Sequence, residues 1–346
     1  MNADIFLWLV QDGVTNGALY ALLALALMLV FAVTRVIFVP QGEFITFAAL
    51  SLSLLEAGRT PGTIYILAFG GLAAAAVDGL AALRARAWRR LPRVIALYVV
   101  LPIAVALLVA WAAPHRFAHW VQVLLVMAMV VPLGPIVYRI AYQPLAGASV
   151  LVLFIVSMAV HYVLTGLSLV FFGGEGLRSS SFWDARFRLG VVEVSAQSLF
   201  VVAASLILIF ALWLLFEHTM YGKALRATAI NRVGARLVGI PTVLMGQLSF
   251  LLAAFIGAVT GILVSSITTL YYDTGFLIGL KGFVGAILGG MASYPLAALG
   301  ALALGLLESF SSFWASPFKE VIVFTSIIPM LVWLSLRSRH VEEEEE

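Results

Sequence analysis

The sequence predicts an all-α fold, a polytopic transmembrane helix bundle of about 9 to 11 membrane segments, two of them short or broken. Three observations carry this. Of the 346 residues, 63% are apolar and 11% charged, against roughly 25% charged residues in a soluble domain. Apolar runs recur along the whole length, and most reach the roughly 18 residues needed to cross a hydrocarbon core of about 30 Å. The basic residues collect in short loops between those runs, where charge reports orientation in a membrane. The net charge of +3 therefore does not point to nucleic acid.

Taken in order, runs bounded by polar or Gly/Pro-rich punctuation place helices over residues 14–34, 43–56, 64–83, 95–113, 120–138 and 149–172. Five more follow over 196–216, 243–266, 275–291, 293–315 and 320–336. Asp4 and Asp12 precede the first run where a leader would carry basic residues, so that run reads as a retained helix. Residues 1–340 form a single transmembrane domain on this reading. The glutamates that close the chain are a like-charge run, read as an acidic, disordered tail over 341–346. The absence of cysteine excludes disulfides, thiolate nucleophiles and cysteine metal sites.

Five arginines (Arg84, Arg86, Arg89, Arg90, Arg93) fill one loop, and Lys223, Arg226, Arg232 and Arg236 another. Both are expected on the cytoplasmic side. Counting crossings from them puts Arg139, Arg337 and Arg339 on that side too, with the N-terminus outside and the C-terminus in the cytoplasm. Residues 173–195 fall outside despite Arg178, Arg186 and Arg188, which Glu175, Asp184 and Glu193 balance.

Two segments break the helical pattern: 36–55, with Pro40 and Gly42, and 271–290, with six glycines. Non-helical backbone at membrane depth survives only where protein or a water-filled cavity covers it. Paired interruptions in two parts of a chain are a pointer to a substrate path.

The most informative stretch lies in the loop 219–241. Small residues at Ala224, Ala227, Thr228, Asn231 and Ala235 recur at helical spacing, so one face of a short helix is nearly flat, with arginines over much of the rest. Such a face suits docking in a partner's groove, or equally an ordinary loop helix packing on its own bundle. Gly239 is placed to supply the positive φ that ends the helix.

This stretch resembles the coupling-helix motif of bacterial ATP-binding-cassette importers, in the form found in the branched-chain amino acid permease family. Gly222, Ala224, Arg226, Ala227, Ala229, Asn231, Ala235, Leu237, Gly239 and Ile240 match it. A second block, from Gly275 and Gly279 through Lys281, Phe283, residues 286–290, Ser293, Pro295, Gly300 and Gly305 to Glu308, is similar to the family's glycine-striped helices. Asn16 to Leu25 resembles its opening helix, and Gly42-Glu43-Phe44 matches the end of the next motif. Two departures stand out. Where the family usually shows Asn-Phe-Ala-His before Gly-Glu-Phe, this chain has Phe38-Val39-Pro40-Gln41, and residues 84–138 carry about one helix hairpin more than the family pattern.

Ionisable groups at membrane depth are costly and become functional candidates. Glu43, beside Gln41 and Gly42, sits where unwound backbone would meet an amino-acid zwitterion; an interhelical hydrogen bond or a helix cap is the competing role. Asn16 and Tyr20, one turn apart, are placed on the same path. Lys281 either faces a substrate carboxylate or pairs with Glu308 as a structural ion pair. Asp78 is expected to pair with Arg84 or Arg86, and His161, single on an apolar helix, reads as a packing residue.

What the resemblance implies is the permease subunit of an ATP-driven importer in a bacterial cytoplasmic (inner) membrane, carrying branched-chain amino acids or related small polar solutes such as amides, urea or carboxylic acids. It implies a partner ATPase docked on Gly222, Ala224, Arg226, Ala227, Asn231, Ala235 and Gly239, a second permease, identical or related, an external solute-binding protein, and surrounding lipid. No nucleotide-binding loop, paired zinc histidines or nucleophile elbow occurs. The chain is therefore expected to be no enzyme and to bind no metal or cofactor, with ATP and magnesium on the ATPase. The alternative is a stand-alone ion-coupled transporter using Glu43, Lys281 or Glu308, which accounts for the broken helices and leaves the small-residue loop unexplained.

Overall fold

The computed structural model describes residues 3–86, 88–189, 192–290 and 293–344. Helix α1 covers Ala3–Thr34, α2 Gln41–Glu56 and α3 Thr63–Arg84. Next, α4 (Leu91–Ile95) and α5 (Leu101–Ala112) are joined by a π-turn at Ala96–Val100. Helices α6 (His119–Val130) and α7 (Leu133–Val137) lead into a second π-turn at Tyr138–Tyr142. Pro102 and Pro135 adjoin these π-turns, as expected where a missing N–H disturbs the hydrogen-bond ladder. After α8 (Val150–Phe172) comes an antiparallel hairpin of β1 (Arg186–Leu189) and β2 (Val192–Ser195), pairing Arg186 with Ser195 and Phe187 with Val194. The remaining helices are α9 (Ala196–His218), α10 (Met220–Ile230), α11 (Arg232–Leu237), α12 (Thr242–Ser265), α13 (Thr274–Leu288), α14 (Tyr294–Trp314), α15 (Lys319–Thr325) and α16 (Ile327–Glu344).

Among the described residues, nine helical stretches are long and apolar enough to cross a membrane. Helices α2 and α13, of 16 and 15 residues, are the two short ones. At about 1.5 Å per residue, each falls short of a core of about 30 Å. Helix α1 starts well before residue 14. Asp4 occupies its first turn, where the helix dipole favours an acid, and Gly13 is absorbed because its Cα faces the backbone of Leu306 with no room for a Cβ. The hairpin stands where only a loop was expected. Of the acidic tail, the backbone of 341–344 ends α16; residues 345 and 346 lie outside the described set.

The chain divides into two compact units. The first comprises Met1–Met28, Ser181–Trp213 and Leu277–Glu346. Its core is built of Tyr20, Ala21, Ala24 and Met28 from α1 with Val284, Ala286, Ala297, Ala301, Leu304 and Val323. Glycine makes this packing close: a Cβ on Gly305 would strike the backbone of Gly13 and Gly17, and one on Gly285 would lie 2.8 Å from Ala301 Cα. This is the small-residue packing of membrane helices, driven by van der Waals contact where lipid removes the hydrophobic drive.

The second unit comprises Leu29–Ser180 and Leu214–Phe276. Its centre is α12 against α2, where Gly257 and Gly261, one turn apart, admit the Gln41, Phe44 and Ile45 stretch of α2. Residues 35–40 are non-helical and begin at Arg35 with φ +62°. They are covered by rings: Phe38 lies 4.6 Å from Phe250 and 5.9 Å from Tyr142, and Phe250 lies 5.0 Å from Tyr138.

Loops of this unit fall into two groups by contact. In one, His119 meets Glu56 at 2.9 Å, Arg116 donates to the Ala57 carbonyl, Ser180 donates to Glu56, and Leu177 pairs with Leu270. In the other, Arg139 pairs with Asp78, Arg232 donates to the Ala146 carbonyl, and Leu225 packs with Leu29, Val33 and Met245. The partner of Asp78 is thus Arg139 and neither Arg84 nor Arg86. Those two follow Asp78 on or just past its own helix, six and eight residues on, and both are exposed. Positions three or four apart are the ones that meet on a helix face.

Candidate functional site

Both short helices begin at the same place. Glu43, in the first turn of α2, reaches His161, the midpoint of α8. Gln41 Nε2 donates 2.9 Å to the carbonyl of Ala253, the midpoint of α12. Phe276, in the first turn of α13, stacks on His161 with centroids 4.2 Å apart. Gly42 and Gly275 touch backbone to backbone, so a Cβ on either would collide with the other's carbonyl. The Gly275 N–H donates to Thr46 Oγ1 at 3.1 Å. Each short helix therefore starts at half the depth of the helices beside it.

At this crossing stands a buried polar cluster. Glu43 is 0% exposed; its Oε1 lies 2.7 Å from His161 Nδ1, and Thr165 Oγ1 lies 3.4 Å from the same nitrogen. Glu43 Oε2 has no hydrogen-bond partner among the described residues, nor does Gln41 Oε1. Only donors complete a carboxylate or amide oxygen. A cleft of about 540 Å³ nearby, lined by Phe44, Phe47, Val160 and Leu164 among other wholly apolar residues, offers no such donor.

The first unit holds a second cluster of a different kind. Lys281 Nζ lies 2.6 Å from Glu308 Oε1 and 3.1 Å from Glu320 Oε1. Tyr20 donates 2.6 Å to Glu308 Oε2, and Lys319 Nζ lies 3.5 Å from Glu308 Oε1. Two lysines and two glutamates balance, and both oxygens of Glu308 are satisfied. Asn16 is not part of this cluster; it donates to Asp12 one turn back at 3.4 Å.

The loop 219–241 is two helices, not one. Thr219 caps α10 by accepting from Gly222 N at 3.0 Å, and Asn231 caps α11 by accepting from Gly234 N at 2.8 Å. Asn231 has extended backbone between them, the local bonding through which such residues favour caps over helix interiors. Gly239 takes φ +84°, and the Ile240 N–H bonds the Ala235 carbonyl, closing α11. The small face is partly covered: Thr228 and Ala235 are buried, Ala224 and Ala227 half-buried and Asn231 exposed, while Gly222 lies on the backbone of Leu215 and Phe216. Outward stand Met220, Tyr221, Ile230, Val233, Leu237 and Val238, each more than 60% exposed.

The family described as branched-chain amino acid transport system / permease component matches residues 9–334. The chain belongs to that permease family. Similar members are the LivH high-affinity branched-chain amino acid permease protein of Escherichia coli K12, 28% identical over 205 residues, and the BraD protein of Pseudomonas aeruginosa, 27% identical over 207. These alignments cover 56% and 58% of this chain. A probable LivH permease protein of Methanocaldococcus jannaschii is 29% identical over 213 residues, 58% of this chain. The matches span 65%, 67% and 66% of these relatives' own lengths.

Within this family member, the residues placed on a path by sequence separate. Gln41, Gly42 and Glu43 meet at the crossing of the short helices. Tyr20 and Lys281 meet at Glu308, where Lys281 takes the ion-pair alternative. Asn16 joins neither group. Of the expected docking set, Asn231 and Gly239 are exposed, Ala224, Arg226 and Ala227 are half-buried, and Gly222 and Ala235 are buried, so those last two shape the loop from beneath. His161, read as a packing residue, is the partner of Glu43. Its single occurrence on an apolar helix was the available signal, but sequence carries no trace of what it faces.

Proposed function

We propose that this chain is the membrane-spanning subunit of an ATP-binding-cassette importer that moves branched-chain amino acids or related small polar solutes into the cytoplasm. The carrying observation is the loop 219–241, where two capped helices present six large apolar side chains outward from a segment outside the membrane-spanning stretches. Exposed apolar groups gathered there call for a protein partner. The partner proposed is an ATPase, which supplies the nucleotide chemistry that this chain's motifs lack. The docking contact then runs through Met220, Tyr221, Ile230, Val233 and Leu237, with Arg226, Ala227, Asn231 and Gly239 beside them.

The cargo assignment leans on the relatives, which are branched-chain amino acid permease proteins by name, and on the polar crossing at Gln41, Gly42 and Glu43. A second permease and an external solute-binding protein complete the proposed assembly. The two contact groups of loops fit a topology with the arginine-rich group in the cytoplasm of a bacterial inner membrane, the N-terminus outside and the C-terminus inside. Affinity purification of the tagged chain from native membranes in mild detergent tests this reading: an ATPase with a nucleotide-binding loop should travel with it. Recovery of the chain alone, repeatedly, would favour an ion-coupled transporter.

A further inference from the structure

We infer that Glu43 Oε2 is the contact that accepts an N–H group of the transported solute, and that His161 is the positioning residue that holds the carboxylate for it; the inference rests on the importer reading above. One oxygen of Glu43 is fixed by the imidazole at 2.7 Å. The ring itself is held by Phe276 stacked at 4.2 Å and by Thr165, so the carboxylate has one orientation. The other oxygen is buried and makes no hydrogen bond among the described residues, with the Thr165 hydroxyl the neighbouring donor that acts on the same carboxylate. Buried polar atoms are satisfied in the great majority of cases, and each exception asks for an explanation. A donor group of a transported solute supplies one.

The chemistry of that ligand follows from the atom. In the proposed contact Glu43 is ionised, and an ionised carboxylate oxygen only accepts, so the completing group is a donor: the ammonium of an amino acid or the N–H of an amide or urea. A solute with a carboxylate and no N–H brings no donor and adds like charge. Among the solute classes implied by the family resemblance, this selects the nitrogen-bearing ones and rejects simple carboxylic acids. Helices α2 and α13 both start at this crossing, and their N-terminal ends carry partial positive charge, which suits the carboxylate of a zwitterion whose ammonium meets Glu43. Glu43 is wholly buried, so Oε2 becomes reachable only as the packing around it opens.

The test uses the permease purified with its ATPase and binding protein and reconstituted in proteoliposomes, with ATP-driven uptake of labelled leucine, urea and 4-methylpentanoate measured in parallel. Uptake of leucine or urea should exceed that of 4-methylpentanoate at least tenfold. Glu43→Gln should erase that ratio while the ATPase still co-purifies. His161→Ala should lower it several-fold, and His161→Gln, which keeps a donor, should restore part of it. A role in folding alone would depress all three solutes together and leave the ratio intact, which would overturn the inference, as would uptake of 4-methylpentanoate equal to leucine or uptake of none of the three by an intact complex. Failure of any ATPase to travel with the chain is a different result: it removes the importer reading itself.

Discussion

Among the described residues two glutamates lie buried, and their surroundings could hardly differ more. Glu308, in the first unit, has both oxygens engaged, by Tyr20 and by Lys281, with Lys319 beside them and Glu320 sharing Lys281. Glu43, in the second, has one oxygen on His161 and the other on nothing among the described residues. A saturated carboxylate between balanced lysines is a fastening between helices. A half-satisfied one at the meeting point of two short helices is available for chemistry. Residue type and burial are the same in both; the hydrogen bonds around the carboxylate set them apart.

Removing the countercharge should have the largest effect. Lys281→Met leaves Glu308 with the more distant, partly exposed Lys319 as its cation and Tyr20 as its donor, and should destabilise the permease by about 3 kcal/mol, the low end of the range for breaking a buried pair. It is read as a lower thermal midpoint in detergent and a smaller membrane yield. The double variant Lys281→Met, Glu308→Gln should recover much of that loss. A Lys281→Met protein of normal midpoint with altered uptake would move Lys281 from fastening to path.

Closing in on the other glutamate, Gly42→Ala should cost about 1–3 kcal/mol, because its Cβ meets the Gly275 carbonyl and backbone cannot yield as a flexible side chain does. Gly166→Ala, with open space around its Cβ, is the control and should be neutral or slightly stabilising, since alanine is the better helix former. Equal midpoints for the two variants would show that the crossing is looser than its geometry.

Glu43→Gln should disturb stability by only about 1 kcal/mol, since the amide keeps a hydrogen bond to His161. A loss as large as that of Lys281→Met would mean that Glu43, too, is a fastening. The smallest effect on the permease itself is expected at Ile230, 85% exposed on α10. Ile230→Glu should leave its midpoint within about 0.5 kcal/mol of the parent, yet abolish co-purification of the ATPase. Ala227→Trp, half-buried on the same helix, should do the same with some loss of midpoint. Retained complex in both would end the docking assignment.

The membrane fold was legible because its cause is local: apolar length and the cost of an unsatisfied backbone in lipid leave little choice but helices. The short helices were legible as well, from Pro40, Gly42 and the glycines of 271–290. The paired strands β1 and β2 were not, since a polar loop carries no strong periodicity. The coupling loop was half legible. Its composition marks it, but helical spacing does not show that Asn231 caps a new helix, nor which of the small residues the rest of the chain covers.

The candidate site shows where sequence stops. Glu43 could be picked out alone, because a charge within an apolar run stands out by itself. Its pairing with His161 joins positions 118 apart, and Glu308 meets Tyr20 across 288; helical periodicity relates only neighbours within a turn or two. The sequence by itself determined that there would be membrane helices, which of them would be short, and which residues would be costly to bury. Only the tertiary structure decided which of those buried groups are satisfied, because satisfaction depends on donors that other helices bring, and the order of residues along the chain does not say which helices meet.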